Sequence, residues 1–400
     1  MSNRDCERDA PCDIPLRLVL AGGFTASFDR YLLAPLLIPI AQTFGCSLSA
    51  ATAAASAYFI ASSAAQLLFG AAVDRFGPAR MLRFAYAGGA IAGMLSAMAP
   101  TLTAFVVARG AMGAMTAGVV AASIVYVGGS VAFDARQRVL VDFAAALGSA
   151  MAVASLVAGA LASVLTWRLP IALAALASAT LLLVSVARRR NDDRAHGASR
   201  TQGGVRAVVR APGASTLIVL GIVEGAALQG GITFLAPSLQ SVGHSPAVAG
   251  LTVTALGLTS MLASRIVKHA PRRPPDWALI VAGGLCLAAG YGVAATDREV
   301  LVMLAASGLC GAAYPLMHSA IQSWMLELVP HARGTATSIF GASLFAGSAV
   351  ATGLLGVLAS ADHYGALYGA TATLALVVTV GAACGRARFT PASAGTAPAA

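Results

Sequence analysis

Leu169-Pro170-Ile171-Ala172-Leu173-Ala174-Ala175-Leu176-Ala177-Ser178-Ala179-Thr180-Leu181-Leu182-Leu183-Val184-Ser185-Val186-Ala187 runs for 19 residues without a charged side chain, with Arg168 before it and Arg188-Arg189-Arg190 behind it. At about 1.5 Å of rise per residue, such a stretch crosses the roughly 30 Å hydrocarbon core of a bilayer as one α-helix. A barrel strand would instead alternate apolar and polar residues over about ten positions, and this run does not.

Working outward, eleven further stretches of the same kind read as helices over 16–41, 49–70, 81–99, 102–125, 139–163, 214–239, 247–268, 277–295, 299–325, 336–360 and 365–384. Composition agrees independently: 58% hydrophobic and 10% charged residues leave too little polar surface to enclose a water-soluble core of 400 residues. The expected fold class is an all-α membrane protein with twelve transmembrane helices. Residues 1–15 read as a polar tail, and no cleavable leader is expected, because the first apolar stretch is too long for a signal peptide and carries Asp29 and Arg30 midway. Cys6, Cys12, Cys46, Cys286, Cys310 and Cys384 show no CxxC spacing, so neither a metal site nor a disulfide framework is expected.

Basic residues collect in short cytoplasmic loops. With the N-terminus placed in the cytoplasm, 22 of the 26 Lys and Arg residues fall on that side, Arg168 and Arg298 fall on the other, and Arg30 and Arg109 lie inside helices. Both termini are therefore expected in the cytoplasm of a cell inner (plasma) membrane. The net charge of +10 then reports topology and attraction to lipid headgroups, with no soluble basic domain to bind nucleic acid. The Arg-rich, Gly-containing segment 188–212 reads as a linker. It divides a six-helix bundle, 16–187, from a second, 213–385, and the Pro/Ala/Ser/Gly segment 386–400 reads as a disordered tail.

The halves echo each other. Leu33-Ala34-Pro35-Leu36-Leu37 returns as Leu235-Ala236-Pro237-Ser238-Leu239, Gly110-Ala111-Met112-Gly113-Ala114 as Gly308-Leu309-Cys310-Gly311-Ala312, and Ala135-Arg136 as Ala332-Arg333. Offsets of about 200 residues and an even helix count per half imply a parallel repeat about an axis along the membrane normal, with a cavity between the halves.

Between the second and third apolar stretches stands Gly70-Ala71-Ala72-Val73-Asp74-Arg75-Phe76-Gly77-Pro78-Ala79-Arg80. It resembles the G-x-x-x-D-R-x-G-x-x-R signature of the major facilitator superfamily, with Pro78 and Ala79 where basic or polar residues are common. The resemblance implies a gating loop whose anchors are Gly70, Asp74, Arg75, Gly77 and Arg80, with Asp74 facing the positive N-terminal end of the eleventh helix near Gly334. Leu102, Arg109, Met112, Gly113 and Ala117 resemble the family's L-x-x-x-R-x-x-Q-G pattern of proton-coupled members, Met replacing Gln, and Thr166-Trp167-Arg168 resembles its S-W-R turn. The glycine-proline pair of antiporters is missing, with Ser155-Leu156-Val157-Ala158-Gly159 at its place.

Charge inside hydrocarbon costs several kcal/mol and so marks function or a buried partner. Asp29, Arg30, Arg109 and Glu224 are the four such residues. Asp29 is the first candidate for proton coupling, since burial favours its acid form and a nearby guanidinium its carboxylate; Glu224 is the second, and Arg109 would modulate the acid or bind an anionic group. A fixed structural pair stays open for Asp29, and Arg30, about 100° around the helix, reads as an orienting charge. Tyr31, Tyr58, Gln66, Arg109, Gln229, Tyr314, His318 and Gln322 are the expected cavity residues. The resemblance implies a secondary transporter of a small, amphipathic organic solute, with protons as coupling ion, no cofactor and no obligate partner chain. Efflux is favoured by likeness to multidrug exporters, and uptake by proton symport by the missing glycine-proline pair. An integral membrane enzyme would need a motif such as HExxH or DDxxD, and neither occurs.

Overall fold

The computed structural model describes residues 14–131, 133–187, 205–269, 274–329 and 332–388, and among them every regular element is a helix. Eleven are long and apolar enough to cross a membrane. The remaining one, first in the chain, is broken into Leu16–Tyr31, a 3-10 turn at Ala34–Leu36, and Leu37–Phe44, which together make the twelfth span. The second to sixth spans are Leu48–Phe76, Pro78–Met98, Leu102–Ser130, Phe133–Val164 and Arg168–Ala187. The seventh covers Ala214–Ser241 and the eighth and ninth Pro246–His269 and Asp276–Thr296; the tenth covers Val300–Leu328, and Arg333–Ser360 and Tyr364–Arg388 complete the set. The tails 1–13 and 389–400, linker residues 188–204 with their arginines, and Arg272 and Arg273 lie outside the described residues, as do the side chains of Arg136, Arg138 and Arg333.

One expectation shifts. The Asp74 segment reads in the sequence as a loop, but the second span stays helical through Asp74 and Arg75 to Phe76 and turns at a single residue, Gly77, whose φ of 84° is open only to glycine at little cost. Pro78 then starts the third span where its missing N–H is harmless. Helical hydrogen bonding does not stop at the hydrocarbon boundary, so apolarity alone ends such a helix too early.

The spans pair alike in each half: first with fifth, second with fourth, third with fourth and sixth; then seventh with eleventh, eighth with tenth, ninth with tenth and twelfth. The halves meet along two seams, second against eleventh and fifth against eighth, which exchange under the same repeat. Single contacts obey it too. A Cβ on Gly113 would strike the Tyr58 carbonyl, and one on Gly311 the Leu256 carbonyl, at matching places in the two halves. These backbones approach closely because small residues let them, which is how helices associate where lipid offers no hydrophobic drive.

At the face away from Asp74, the Ala247 amide donates to Ser163 Oγ at 2.8 Å and Gln240 Nε2 to the Pro35 carbonyl at 3.0 Å, tying the halves together. Arg298 and Asp362 pair across loops on that face, and the bond from Arg298 holds the Asp362 carboxyl below its ordinary value.

Candidate functional site

Three spans are irregular at mid-membrane. The first breaks at Leu32–Leu36, the seventh widens into a π-turn at Ala226–Gly230, and the tenth does so at Tyr314–His318. Pro35 and Pro315 sit in two of these breaks, and side chains satisfy carbonyls around the seventh: Tyr291 Oη donates to Ala227 and Ser348 Oγ to Gly225. Such one-turn widenings re-aim side chains and concentrate at functional positions.

Asp29 and Arg109 are both wholly buried and paired. Arg109 Nη1 donates to Asp29 Oδ1 at 2.8 Å and Nη2 to the Asp29 carbonyl at 3.2 Å, so one guanidinium holds both the side chain and the backbone of the first span. It also lies 4.8 Å from the Tyr58 ring centroid, and Tyr58 Oη shares a 2.6 Å bond with Thr116 Oγ1. Asp29 Oδ2 and Arg109 Nε are buried with no bonding partner. The pair is thus neutral as a unit but incompletely satisfied, which leaves it able to accept one more polar group.

Glu224 and His318 form the second buried pair, Nδ1 to Oε1 at 3.1 Å, joining the seventh and tenth spans beside their π-turns. The imidazole lies against Tyr314, 4.6 Å between centroids, and Phe340, 5.7 Å. Glu224 Oε2 has no partner.

Between the halves lies a cavity of about 30 Å³, lined by Arg30, Tyr31, Leu33, Ala34, Ala55, Tyr58, Phe59 and Arg109 from the first half and Gln229, Ile232 and Thr233 from the second. That is room for roughly two water-sized groups. Of the expected cavity residues, Tyr31, Tyr58, Arg109 and Gln229 line it. Tyr314 and His318 stand with Glu224 one to two turns nearer the Asp74 face, and Gln66 packs on Gly341 in the seam between second and eleventh spans. Gln322 lies a turn beyond His318, outside the cavity lining. Arg30, which the sequence presents as an orienting charge, enters the cavity with its guanidinium 4.8 Å from the Phe345 ring centroid. Its helical angle from Asp29 was the available signal: if Asp29 turns into its own half to meet Arg109, its neighbour turns out of it.

Gly70 lies against Ser338 of the eleventh span. The two spans run antiparallel, and Asp74 lies one turn further along the second, near the end where the eleventh begins.

These features define a polytopic membrane protein of two repeated six-helix bundles with buried ionisable pairs around a central cavity. The chain belongs to the Major Facilitator Superfamily, whose profile matches residues 19–351, and is a transporter of that type. It is 25% identical over 364 residues, 88% of this chain and 91% of the other, to an uncharacterized MFS-type transporter, YceJ, of Bacillus subtilis (strain 168). Its fold matches that of the peptide transporter POT in complex with sulfate, with a TM-score of 0.74 at 16% identity over 93% of this chain and 95% of that one. It also matches the nucleoside transporter NupG, with a TM-score of 0.71 at 14% identity over 94% of this chain and 100% of that one.

Proposed function

We propose that the protein is a secondary active transporter that moves a small, amphipathic organic solute across the cell inner membrane by alternating access, exchanging it for protons in the direction of efflux, with both termini in the cytoplasm. The observation that carries this reading is one buried ionisable pair per half: Asp29–Arg109, whose guanidinium lines the cavity at the seam, and Glu224–His318, one to two turns nearer the Asp74 face. A buried charge pair is costly to keep in hydrocarbon, and one in each half is hard to explain as packing.

In this reading Arg109 grips the first span through Asp29, and solute that draws the guanidinium away leaves the Asp29 carboxylate to take a proton. Glu224 and His318 share one hydrogen-bonded proton and exchange it when the seam opens. Asp74, beside the start of the eleventh span, biases which end is closed. Gly70, Arg75, Gly77 and Arg80 shape that turn.

Uptake by proton symport is the second reading, favoured by Ser155–Gly159 standing where antiporters carry a glycine-proline pair. A substrate screen in cells lacking other pumps separates the two. Expressing cells should hold less of the solute than control cells and lose that difference when an uncoupler is added. Greater accumulation would reverse the direction, and insensitivity to the uncoupler would remove protons from the cycle.

A further inference from the structure

Every mid-membrane charge among the described residues has a counter-charge except one. Asp29 meets Arg109 and Glu224 meets His318, but no carboxylate among the described residues lies within ion-pair distance of Arg30. Its Nε is buried with no bonding partner; Tyr58 is its side-chain hydrogen-bonding neighbour, and Tyr31 and Tyr314 stand near it. Contact with the Phe345 face steadies the cation but satisfies none of the five N–H donors that lie in the guanidinium plane.

Across the same cavity stands Gln229, 3% exposed, with both its amide nitrogen and its amide oxygen buried and unbonded. The π-turn at Ala226–Gly230 sets it there. Tyr31, Tyr58, Arg109 and Thr233 share the lining, and its apolar wall is Leu33, Ala34, Ala55, Phe59 and Ile232. A guanidinium without a counter-charge, an unsatisfied amide in the same cavity and a partly apolar wall together describe the complement of an oxyanion on an apolar body.

We propose that the cavity binds the carboxylate of an amphipathic organic anion, paired with Arg30 from the first half and hydrogen-bonded by Gln229 from the second. The proposal rests on the transport reading and adds the charge of the solute to it. A group held by Arg30 and Gln229 at once bridges the two bundles, so its arrival pulls the seam shut around itself. The cavity fits a carboxylate and little more, and the apolar body extends between Phe59 and Ile232.

Benzoate and hexanoate, with benzylamine, hexylamine and benzyl alcohol as matched cations and neutral, are suitable probes for the purified full chain. The carboxylates should raise its unfolding temperature saturably and bind in calorimetry, while the amines and the alcohol do not. Arg30→Gln should fold, since it removes an unpaired buried charge, yet bind benzoate about 10- to 100-fold more weakly. Arg30→Lys should keep part of the affinity as a point charge without the planar fork. Gln229→Leu should weaken binding less than Arg30→Gln. Three results overturn the assignment: neither carboxylate binding the wild-type protein, Arg30→Gln binding as well as wild type, or an amine binding in preference. Labelled benzoate and benzylamine in proteoliposomes keep the two readings apart. Arg30-dependent binding without movement sinks transport and leaves the site; movement of the amine alone leaves transport and sinks the anion.

Discussion

Arg109 is the residue on which most of the central geometry hangs, because it satisfies a carboxylate and a backbone carbonyl of the first span at once. Asp29→Asn leaves that guanidinium buried without a counter-charge, a change that costs about 3–5 kcal/mol where a buried pair is broken from one side. Adding Arg109→Gln removes the orphan, so the double variant should recover most of the lost unfolding temperature, while proton-driven flux stays absent in both. Full stability of Asp29→Asn alone would mean the pair contributes nothing, and normal flux in the double variant would take Asp29 out of the coupling step. At this scale the sequence revealed which charges lie in the membrane but not which ones meet. The hydrocarbon penalty singles out Asp29, Arg30, Arg109 and Glu224 from one chain; the partners depend on helix rotations set by packing. Hence His318 reads as a lone interior ring until the tenth span's π-turn is seen to carry it against Glu224.

Helices here are placed by where their backbones can touch. Gly113 and Gly311 hold equivalent places, each against a carbonyl of a neighbouring span, whereas Gly292 has open space at its Cβ position. Gly113→Ala and Gly311→Ala should therefore each destabilise by about 1–3 kcal/mol through overpacking, measured as a fall in unfolding temperature. Gly292→Ala should be neutral or slightly stabilising, since alanine is the better helix former; equal losses at all three would refute close approach as the cause. Asp74 acts at the end of its element. An anion at a helix N-terminus is worth about 0.3–2 kcal/mol, so Asp74→Ala should shift the balance between the two open forms by up to roughly 30-fold and show as slower turnover at nearly unchanged solute affinity. A large loss of affinity with normal turnover would place Asp74 in binding. Span number was legible because apolar length is read residue by residue. The breaks were only half legible: prolines mark the first and tenth spans, but nothing in Ala226-Ala227-Leu228-Gln229-Gly230 announces a π-turn, which arises from packing against Tyr291 and the eleventh span.

For the whole molecule, the repeat makes the two seams equivalent, and the seam between second and eleventh spans touches at both of its ends. At one end the Ser49 amide donates to Ser360 Oγ; at the other, a Cβ on Gly70 would sit 3.7 Å from that of Ser338. The latter spacing suits a disulfide, which needs about 3.5–4.5 Å between Cβ atoms. Alternating access requires the halves to part at each end in turn, so either end, locked alone, should stop the cycle. Gly70→Cys with Ser338→Cys, and separately Ser49→Cys with Ser360→Cys, placed in a background where Cys46 is serine, should each lose net flux on oxidation and regain it on reduction, while the single-cysteine variants transport throughout. The first lock should still admit solute from the face away from Asp74, and the second only from the Asp74 face, which a membrane-impermeant thiol reagent directed at a cysteine in place of Thr233 would report as opposite labelling. Full-rate transport with either lock oxidised would show that this end never opens, and a rocking of two bundles about the central cavity would then be the wrong motion for this protein.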